Sequence, residues 1–152
     1  MAPHGEPIRL RPYVASGTVY PGDTVAIATD GKVSSSITVP LLGVAMNYAI
    51  AGQEVLIADH PDQLFEVEST TSLAQADMAA NYSLVLGTAS TLYKRSALYL
   101  DSATIATTAT LAVKALGFVP SVNNAAGSAN VDVVVKINNH VLNGGTGSAG
   151  LA

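Results

Sequence analysis

The amino-acid sequence predicts an all-β protein, either an antiparallel β-barrel or a jelly-roll-like sandwich, with one short helix and an extended N-terminal arm. Three observations support this prediction. Short runs rich in β-branched residues recur at roughly 8–12-residue spacing, separated by Gly, Pro, Asn or Asp. Residues 130–138 alternate between apolar and polar positions, which is the period of a strand with one buried face. Good helix formers are concentrated in a single segment, residues 73–80.

The first turn signals lie in the N-terminal third of the chain. Residues 18–20 run into Pro-Gly-Asp at 21–23, where Pro sets its own φ and Gly supplies a positive φ. The Asp-Gly pair at 30–31 is a strong signal for a hairpin turn. Residues 24–28 and 32–39 are therefore predicted to pair as antiparallel strands.

Five later segments also have the pattern of strands. In residues 64–68, Leu64, Glu66 and Glu68 face one way, while Phe65 and Val67 face the other. In the last strand Val131, Val133, Val135 and Ile137 form one face, and Asp132 and Lys136 lie opposite. The predicted strands are residues 54–58, 64–68, 95–101, 110–119 and 130–138.

One helix is predicted between these strands. The tetrapeptide that begins at Ser72 matches a capping box, with Ser72 as the N-cap and Gln75 reaching back to it. Residues 73–80 follow with good helix formers, enough for about two turns.

The two ends of the chain differ from the middle. Residues 1–17 contain three prolines and no hydrophobic period, and they are predicted to be an extended arm that is mobile in the isolated protein. Residues 143–152 contain four glycines and are predicted to be a flexible tail. Residues 18–142 then form a single β-barrel or sandwich domain.

Composition excludes several classes of function. The chain has no cysteine, so it forms no disulfide and no thiolate metal site. Its formal net charge is −4 with only seven scattered Lys and Arg residues, whereas nucleic-acid binding requires a dense basic surface. The longest nearly uncharged run, residues 39–52, is shorter than the roughly 20 residues of a membrane-spanning helix. We therefore expect a soluble protein with no nucleic-acid or membrane partner.

The surface is expected to be unusually poor in charge. Charged residues make up 12% of the chain, about half the usual fraction for a soluble domain, and Ala, Ser, Thr and Gly are abundant. Such a composition suits a domain whose surface is largely covered by other protein subunits.

The stretch HPDQLFEVE at residues 60–68, preceded by Asp59, is the densest group of titratable residues. Asp59, His60 and Asp62 are residue types that bind metal ions, but Pro61 fixes the backbone between them and no second element supplies a further ligand. The same residues are typical of a turn, where Asp side chains cap backbone N–H groups. The turn is the favoured interpretation, and no metal or cofactor is expected.

Three further patterns that would indicate an enzyme or a cofactor carrier are incomplete or absent. Glu66 and Glu68 share a strand face, but glycoside hydrolysis places its carboxylates across a cleft that aromatic residues line, and this chain has no Trp. No G-x-S-x-G or phosphate-loop motif is present. Residues 19–33 resemble a hairpin of biotinyl carrier domains, but Asn47 occupies the place of the lysine that carries the cofactor. Catalytic and cofactor-binding residues are therefore not assigned.

A longer pattern resembles a group of tailed-bacteriophage head decoration, or cement, proteins. The similar segments are an Asp-x-Pro-Asp-x-x-Phe-Glu-Val strand, an Ala-Asp-x-x-x-Asn segment, a Leu-Asp-Ser-x-Thr-Ile strand, a Leu-Gly-Phe strand and a closing strand that ends in His140. They lie within residues 54–142, about three-fifths of the chain, in the same order and with similar spacing. In the order given, these segments occupy residues 59–67, 76–81, 100–105, 116–118 and 135–140.

The resemblance implies a function without catalysis. A cement protein binds across subunits of the major capsid protein on the outer surface of the phage head, after synthesis in the host cytoplasm, and needs no cofactor. The resemblance also implies threefold positions and thus a homotrimer, consistent with a last strand that carries Val134 opposite its apolar face. The alternative is a phage tail or adhesin-type β-domain that binds carbohydrate.

The arm is the expected contact with the capsid. An extended segment can add a strand to the sheet edge of a neighbouring protein, where main-chain hydrogen bonds give affinity. Pro7 and Pro12 would limit that strand to residues 8–11, with two arginines available to acidic patches. The candidate partner-binding residues are Pro7, Ile8, Arg9, Leu10, Arg11 and Pro12.

Overall fold

A computed structural model of the chain describes residues 1–151 and confirms the all-β prediction. Eleven strands form two antiparallel sheets. The strands are β1 Ala2–Pro3, β2 Leu10–Val14, β3 Thr24–Ile27, β4 Val33–Ser35, β5 Gly43–Ala45, β6 Glu54–Ala58, β7 Leu64–Glu68, β8 Asn81–Leu86, β9 Leu98–Ala106, β10 Val113–Phe118 and β11 Asp132–Ile137.

The sheets are open, so the sandwich and not the barrel describes the architecture. The six-stranded sheet has the order β1-β7-β11-β10-β8-β9, and the five-stranded sheet has the order β2-β6-β5-β3-β4. In each sheet one isolated parallel bridge joins distant strands: Ser69, which follows β7, pairs with Leu100 of β9, and Ala15, which follows β2, pairs with Val33 of β4. One bridge does not form a continuous ladder, and therefore neither sheet closes into a barrel.

The core consists of two apolar clusters, and the larger one joins the two sheets. The larger one lies on the inner face of the six-stranded sheet, around Phe65, Tyr82 and Val135, and includes Leu41 and Val44 from the five-stranded half. The smaller cluster fills the curl of the five-stranded sheet. Its fully buried members are Ala15, Val19, Val25, Val33, Leu42, Ala49, Val55 and Ile57.

Local turn chemistry produces the hairpins that the sequence predicts. Gly22 and Gly31 have φ of 97° and 78°, values that a glycine adopts without steric cost. The Asp30 carboxylate accepts a hydrogen bond of 3.0 Å from the Lys32 N–H, which stabilises the turn between β3 and β4. Strands β6 and β7 have the predicted bounds, and in β7 Phe65 and Val67 share one face as predicted, which is the buried face.

The predicted helix is reduced to one 3₁₀ turn, Gln75–Asp77. Its N-cap is Ala74 and not Ser72, and the carboxylate of Asp77, rather than Gln75, accepts a 2.7 Å hydrogen bond from the Ala74 N–H. The first turn of a helix is unfavourable and needs further turns to offset its cost. Strand β8 begins at Asn81, so the segment is too short to supply them. The prediction of a two-turn helix over residues 73–80 is therefore wrong.

The glycine-rich C-terminal segment packs against the domain instead of extending from it. The Asn81 side chain donates to the Ser148 carbonyl at 2.9 Å, and the Leu151 N–H donates to the Ala79 carbonyl at 2.8 Å. A Cβ on Gly147 would lie 2.2 Å from the Ala109 carbonyl oxygen, so glycine is needed there for close approach. The last residue of the predicted tail, Ala152, lies outside the described residues.

Among residues 1–151, no helix is both long enough and apolar enough to cross a membrane.

Candidate partner-binding surface

The predicted partner-binding residues, 7–12, lie along the edge of the five-stranded sheet. Strand β2 pairs antiparallel with β6 from Leu10 opposite Ala58 to Val14 opposite Glu54. Residues 2–3 pair with β7 in the other sheet, so the N-terminal segment contacts both halves of the molecule. The strand spans Leu10–Val14 and includes Pro12, whereas the sequence restricted it to residues 8–11.

A buried carboxylate anchors this edge strand. Asp59, which follows β6, has no solvent exposure, and its Oδ1 accepts a 2.8 Å hydrogen bond from Nε of Arg9. Its Oδ2 accepts a 2.5 Å hydrogen bond from the Tyr13 hydroxyl. Nε of Arg11 lies farther away, 4.0 Å from Oδ2. A buried carboxylate must recover its lost hydration from such partners, so Asp59 ties residues 9–13 to the domain.

The same anchor changes the titration of Tyr13. Burial raises the pKa of the Tyr13 hydroxyl, and its hydrogen bond to the Asp59 carboxylate raises the pKa further. The hydroxyl therefore stays protonated well above neutral pH and remains a donor to Asp59.

Gln63 provides a second anchor just before β7. Its side-chain oxygen accepts a 2.6 Å hydrogen bond from the Ile8 N–H, and its amide donates to the Leu64 carbonyl at 2.8 Å. Gln63 is 2% exposed, so these contacts are shielded from water. Sequence reasoning missed Gln63, because no local pattern relates it to a residue that lies 55 positions earlier.

The outer face of the anchored strand is apolar. Leu10, Pro12 and Val14 lie on the same sheet face as Leu56 of β6, because paired residues share a face. Glu54, opposite Val14, borders this surface, and Ala58, opposite Leu10, is buried in the larger apolar cluster. Leu10, Val14 and Leu56 are 42%, 40% and 42% exposed. We call Leu10, Pro12, Val14 and Leu56 the apolar strip. Of the six predicted residues, Arg9 binds Asp59 and Leu10 and Pro12 belong to the strip, whereas Pro7, Ile8 and Arg11 lie outside it.

The free edge of β2 is a poor template for another strand. The Leu56 N–H donates to the Asn47 side-chain oxygen, and the Leu56 carbonyl accepts from the Met46 N–H, so both groups point away from β2. Leu56 and Pro12 therefore form a non-hydrogen-bonded pair. The backbone nitrogen of Pro12 therefore faces the free edge, where it offers no N–H. Farther along, the Ser16 N–H is already bonded to the Val33 carbonyl. This edge consequently exposes side chains rather than a full set of backbone donors.

The loop from Asp59 to Gln63 connects β6 to β7, as the turn interpretation predicts. Asp59 points inward to the anchor, whereas Asp62 is exposed and its Oδ1 lies 3.0 Å from Nζ of Lys136. Nδ1 of His60 accepts a 3.1 Å hydrogen bond from the Asp62 N–H. Within the described part of the chain, no three His, Asp or Glu side chains are grouped closely enough to hold a metal ion.

Glu66 and Glu68 line a cavity of about 470 Å³. Oε1 of Glu66 is 3.0 Å from Nδ1 of His4, and Arg95 also lines the cavity. Because both carboxylates come from one strand, two residues apart, they lie on the same side of the cavity. A glycosidase pair flanks its bond from opposite sides, so this arrangement does not provide one.

Tyr20 and Tyr48 form an aromatic pair, and aromatic rings are the side chains that stack on sugars. The ring centroids of Tyr20 and Tyr48 are 5.5 Å apart. Nζ of Lys94 lies 4.7 Å from the centroid of the Tyr48 ring and covers one of its faces. That face is therefore not open for stacking on a sugar.

His140, at the end of the resemblance to decoration proteins, is a structural residue in this fold. It is 2% exposed, and its Nδ1 accepts a 3.1 Å hydrogen bond from the Leu142 N–H. Nε2 lies near the carbonyls of Leu42 and Asp59 without a well-aligned hydrogen bond. Burial lowers the pKa of the imidazole, against the opposing effect of the Asp59 charge. The ring is thus held neutral at the junction of the two halves.

No protein-family model matches this chain, and a comparison with curated proteins also gives no match.

Proposed function

We propose that this chain is a non-enzymatic virion structural protein that decorates a bacteriophage capsid and cements it by binding across subunits of the major capsid protein. The observation that carries the proposal is the apolar strip of Leu10, Pro12, Val14 and Leu56 on an anchored edge strand. A contiguous exposed apolar surface is a feature of protein interaction sites. The sequence resemblance supports the capsid as the partner, with the outer surface of the phage head as the location.

Anchoring improves such a contact energetically. A free arm would lose conformational entropy on binding, whereas β2 is ordered beforehand by Asp59 and Gln63. Each copy then adds buried area at a junction between capsid subunits, and many copies on one shell increase its resistance to rupture. The proposal requires no cofactor, metal ion or nucleic-acid partner.

A homotrimer is part of this proposal, and it rests on the resemblance. Val134, on the second face of β11, is 8% exposed within one chain, so this strand needs no neighbouring subunit to bury it. We expect the purified protein to sediment as a trimer at micromolar concentration, because cyclic closure satisfies a threefold site. Sedimentation velocity measures this directly, and a monomer at all concentrations would contradict the proposed oligomeric state.

Substitution of the apolar strip tests the function. Leu56→Lys places a charge in the strip without entering the core, and we expect it to weaken binding to purified, empty, expanded capsids by about tenfold or more. Ile105→Lys is the matched control, because Ile105 is 43% exposed on β9 in the other sheet. Co-sedimentation with capsids measures the affinity of both variants.

The outcomes separate the possibilities. Unchanged binding by both variants would remove the strip from the contact, and loss by Ile105→Lys alone would place the contact on the other sheet. Failure of the unsubstituted protein to bind capsids would contradict the proposed function itself.

The carbohydrate-binding alternative is favoured by one observation, the Tyr20–Tyr48 contact. It predicts binding to a host surface glycan that Tyr48→Ala abolishes. The Lys94 ammonium over the Tyr48 ring makes this the weaker candidate.

A further inference from the structure

We propose that a pocket between the C-terminal segment and the six-stranded sheet binds an oxyanion, a carboxylate or a phosphate group. The pocket has a volume of about 460 Å³ and contains Lys114 of β10 and Lys136 of β11 in its wall. This volume is typical of a site for a small ligand. The proposal does not depend on attachment to a capsid.

The two lysines face each other across neighbouring strands. Lys114 is the direct partner of Lys136 in the register of β10 and β11, so both side chains stand on one face. Side chains in such a position have Cβ atoms about 4.5–5.5 Å apart, and like charges there destabilise a sheet. Two of only seven basic residues in a chain of net charge −4 are thus placed side by side.

The charge of this pair is only partly compensated. Nζ of Lys114 donates to the Ser148 hydroxyl at 2.7 Å and to the Ala149 carbonyl at 2.9 Å, and both acceptors are neutral. Nζ of Lys136 donates to Asp62 at 3.0 Å, but the Asp62 side chain is 72% exposed and does not line the pocket. The pair therefore retains one uncompensated positive charge.

Hydrogen-bond donors remain available at the same place. An ammonium group has three donors, so one is left on Lys114 and two are left on Lys136. Thr146 and Asn143 also line the pocket, and their side chains carry a hydroxyl and an amide donor. The pocket lining contains no Asp or Glu. An oxyanion accepts several charge-assisted hydrogen bonds at once and would relieve the repulsion between the lysines.

The C-terminal segment gives the pocket a fixed rim. Residues 146–148 form one side of it, and the Ser148 N–H and hydroxyl both bond to the Asn138 side chain, at 3.1 and 3.3 Å. Gly147 allows this segment to lie directly on the Ala109 carbonyl. A fixed rim on a sheet face is a preorganised site and not a pair of independent surface lysines.

The test measures anion binding to the full chain by NMR. Titration with sodium phosphate and, separately, with sodium acetate is followed through the backbone amides at constant ionic strength, with sodium chloride as the balancing salt. We expect saturable shifts at residues 114, 136 and 146–148. Tighter binding of phosphate would indicate a phosphate-bearing ligand, and tighter binding of acetate would indicate a carboxylate, as from an acidic side chain of another protein.

Variants separate a site from general charge attraction. Lys136→Gln is expected to weaken binding by about tenfold, while Lys32→Gln, which removes the same charge from the exposed hairpin turn, leaves it unchanged. Lys114→Gln serves as a second variant, with its fold checked by circular dichroism because Lys114 also contacts the C-terminal segment. Shifts that grow linearly with either salt, or that are equal in Lys136→Gln and the unsubstituted protein, would overturn the proposal.

Discussion

Removal of residues 1–12 is expected to lower the melting temperature of the domain by roughly 10 °C or more. The deletion removes β1 and most of β2 and leaves the Asp59 carboxylate buried without Arg9. An uncompensated buried charge costs about 3–5 kcal/mol, and in a domain of this size each kcal/mol corresponds to roughly 2–4 °C. Thermal unfolding followed by circular dichroism measures the change.

A shorter deletion provides the control for this experiment. Removal of residues 1–5 takes away β1 but keeps Ile8, Arg9 and the whole of β2, so a much smaller loss of melting temperature is expected. Equal melting temperatures for the full chain and the chain without residues 1–12 would instead support the mobile arm that the sequence predicts. Because the longer deletion changes stability, capsid binding is better tested with Leu56→Lys than with truncation.

The strands that the sequence predicts well are those with local signals. In strand β11 the buried residues Val133, Val135 and Ile137 alternate, continuing from Val131, and β6 and β7 are short runs bounded by polar residues. The hairpin of β3 and β4 follows from an Asp-Gly pair whose glycine has a positive φ. In each case a few neighbouring residues decide the local structure, so pattern and fold agree.

The elements that the sequence missed depend on distant residues. Strand β5 is only three residues long and is defined by its position between β3 and β6. Strand β8 begins where the helix was predicted to end, and Ala79 and Ala80 already form backbone hydrogen bonds with Ala115 of β10, which outweigh a local preference for helix in residues 73–80. Short segments of this kind have no periodicity that a single sequence displays.

Both termini illustrate a second limit. Residues 1–17 and the glycine-rich C-terminal segment lack hydrophobic periodicity, which normally indicates disorder. In the structure their contacts are polar and specific, such as Arg9 with Asp59 and Ser148 with Asn138. Composition measures how much apolar surface a segment can bury, but it contains no information about hydrogen-bond partners elsewhere in the chain.

The candidate site shows the same limit in its chemistry. The sequence identified residues 7–12 as a segment and assigned Asp59 to a turn, but it did not connect them, because Arg9 and Asp59 are 50 positions apart. Their contact also changes the expected role of the arginine. Arg9 is used inside the molecule, and the exposed surface of the strand is the apolar strip.

Loss of Arg9 is expected to destabilise the domain more than loss of its partner does. Arg9→Ala leaves Asp59, which has no solvent exposure, with Tyr13 as its remaining close donor, and we expect a loss of about 3 kcal/mol in the free energy of unfolding. Asp59→Asn removes the buried charge itself. It leaves an arginine side chain that is already 30% exposed and can be hydrated, so the loss should be smaller.

A double variant tests whether the unpaired Asp59 charge is the cause of the larger stability loss in Arg9→Ala. Arg9→Ala combined with Asp59→Asn should be more stable than Arg9→Ala alone, because the second substitution removes the charge that the first leaves unpaired.

Arg11→Ala is the matched control on the same strand. Its Nε lies 4.0 Å from Oδ2 of Asp59 and its side chain is 52% exposed, so a loss of at most about 1 kcal/mol is expected. Urea unfolding of the four variants measures these differences. If Arg9→Ala and Arg11→Ala were equally stable, or if the double variant were the least stable, Asp59 would not be the anchor of the edge strand.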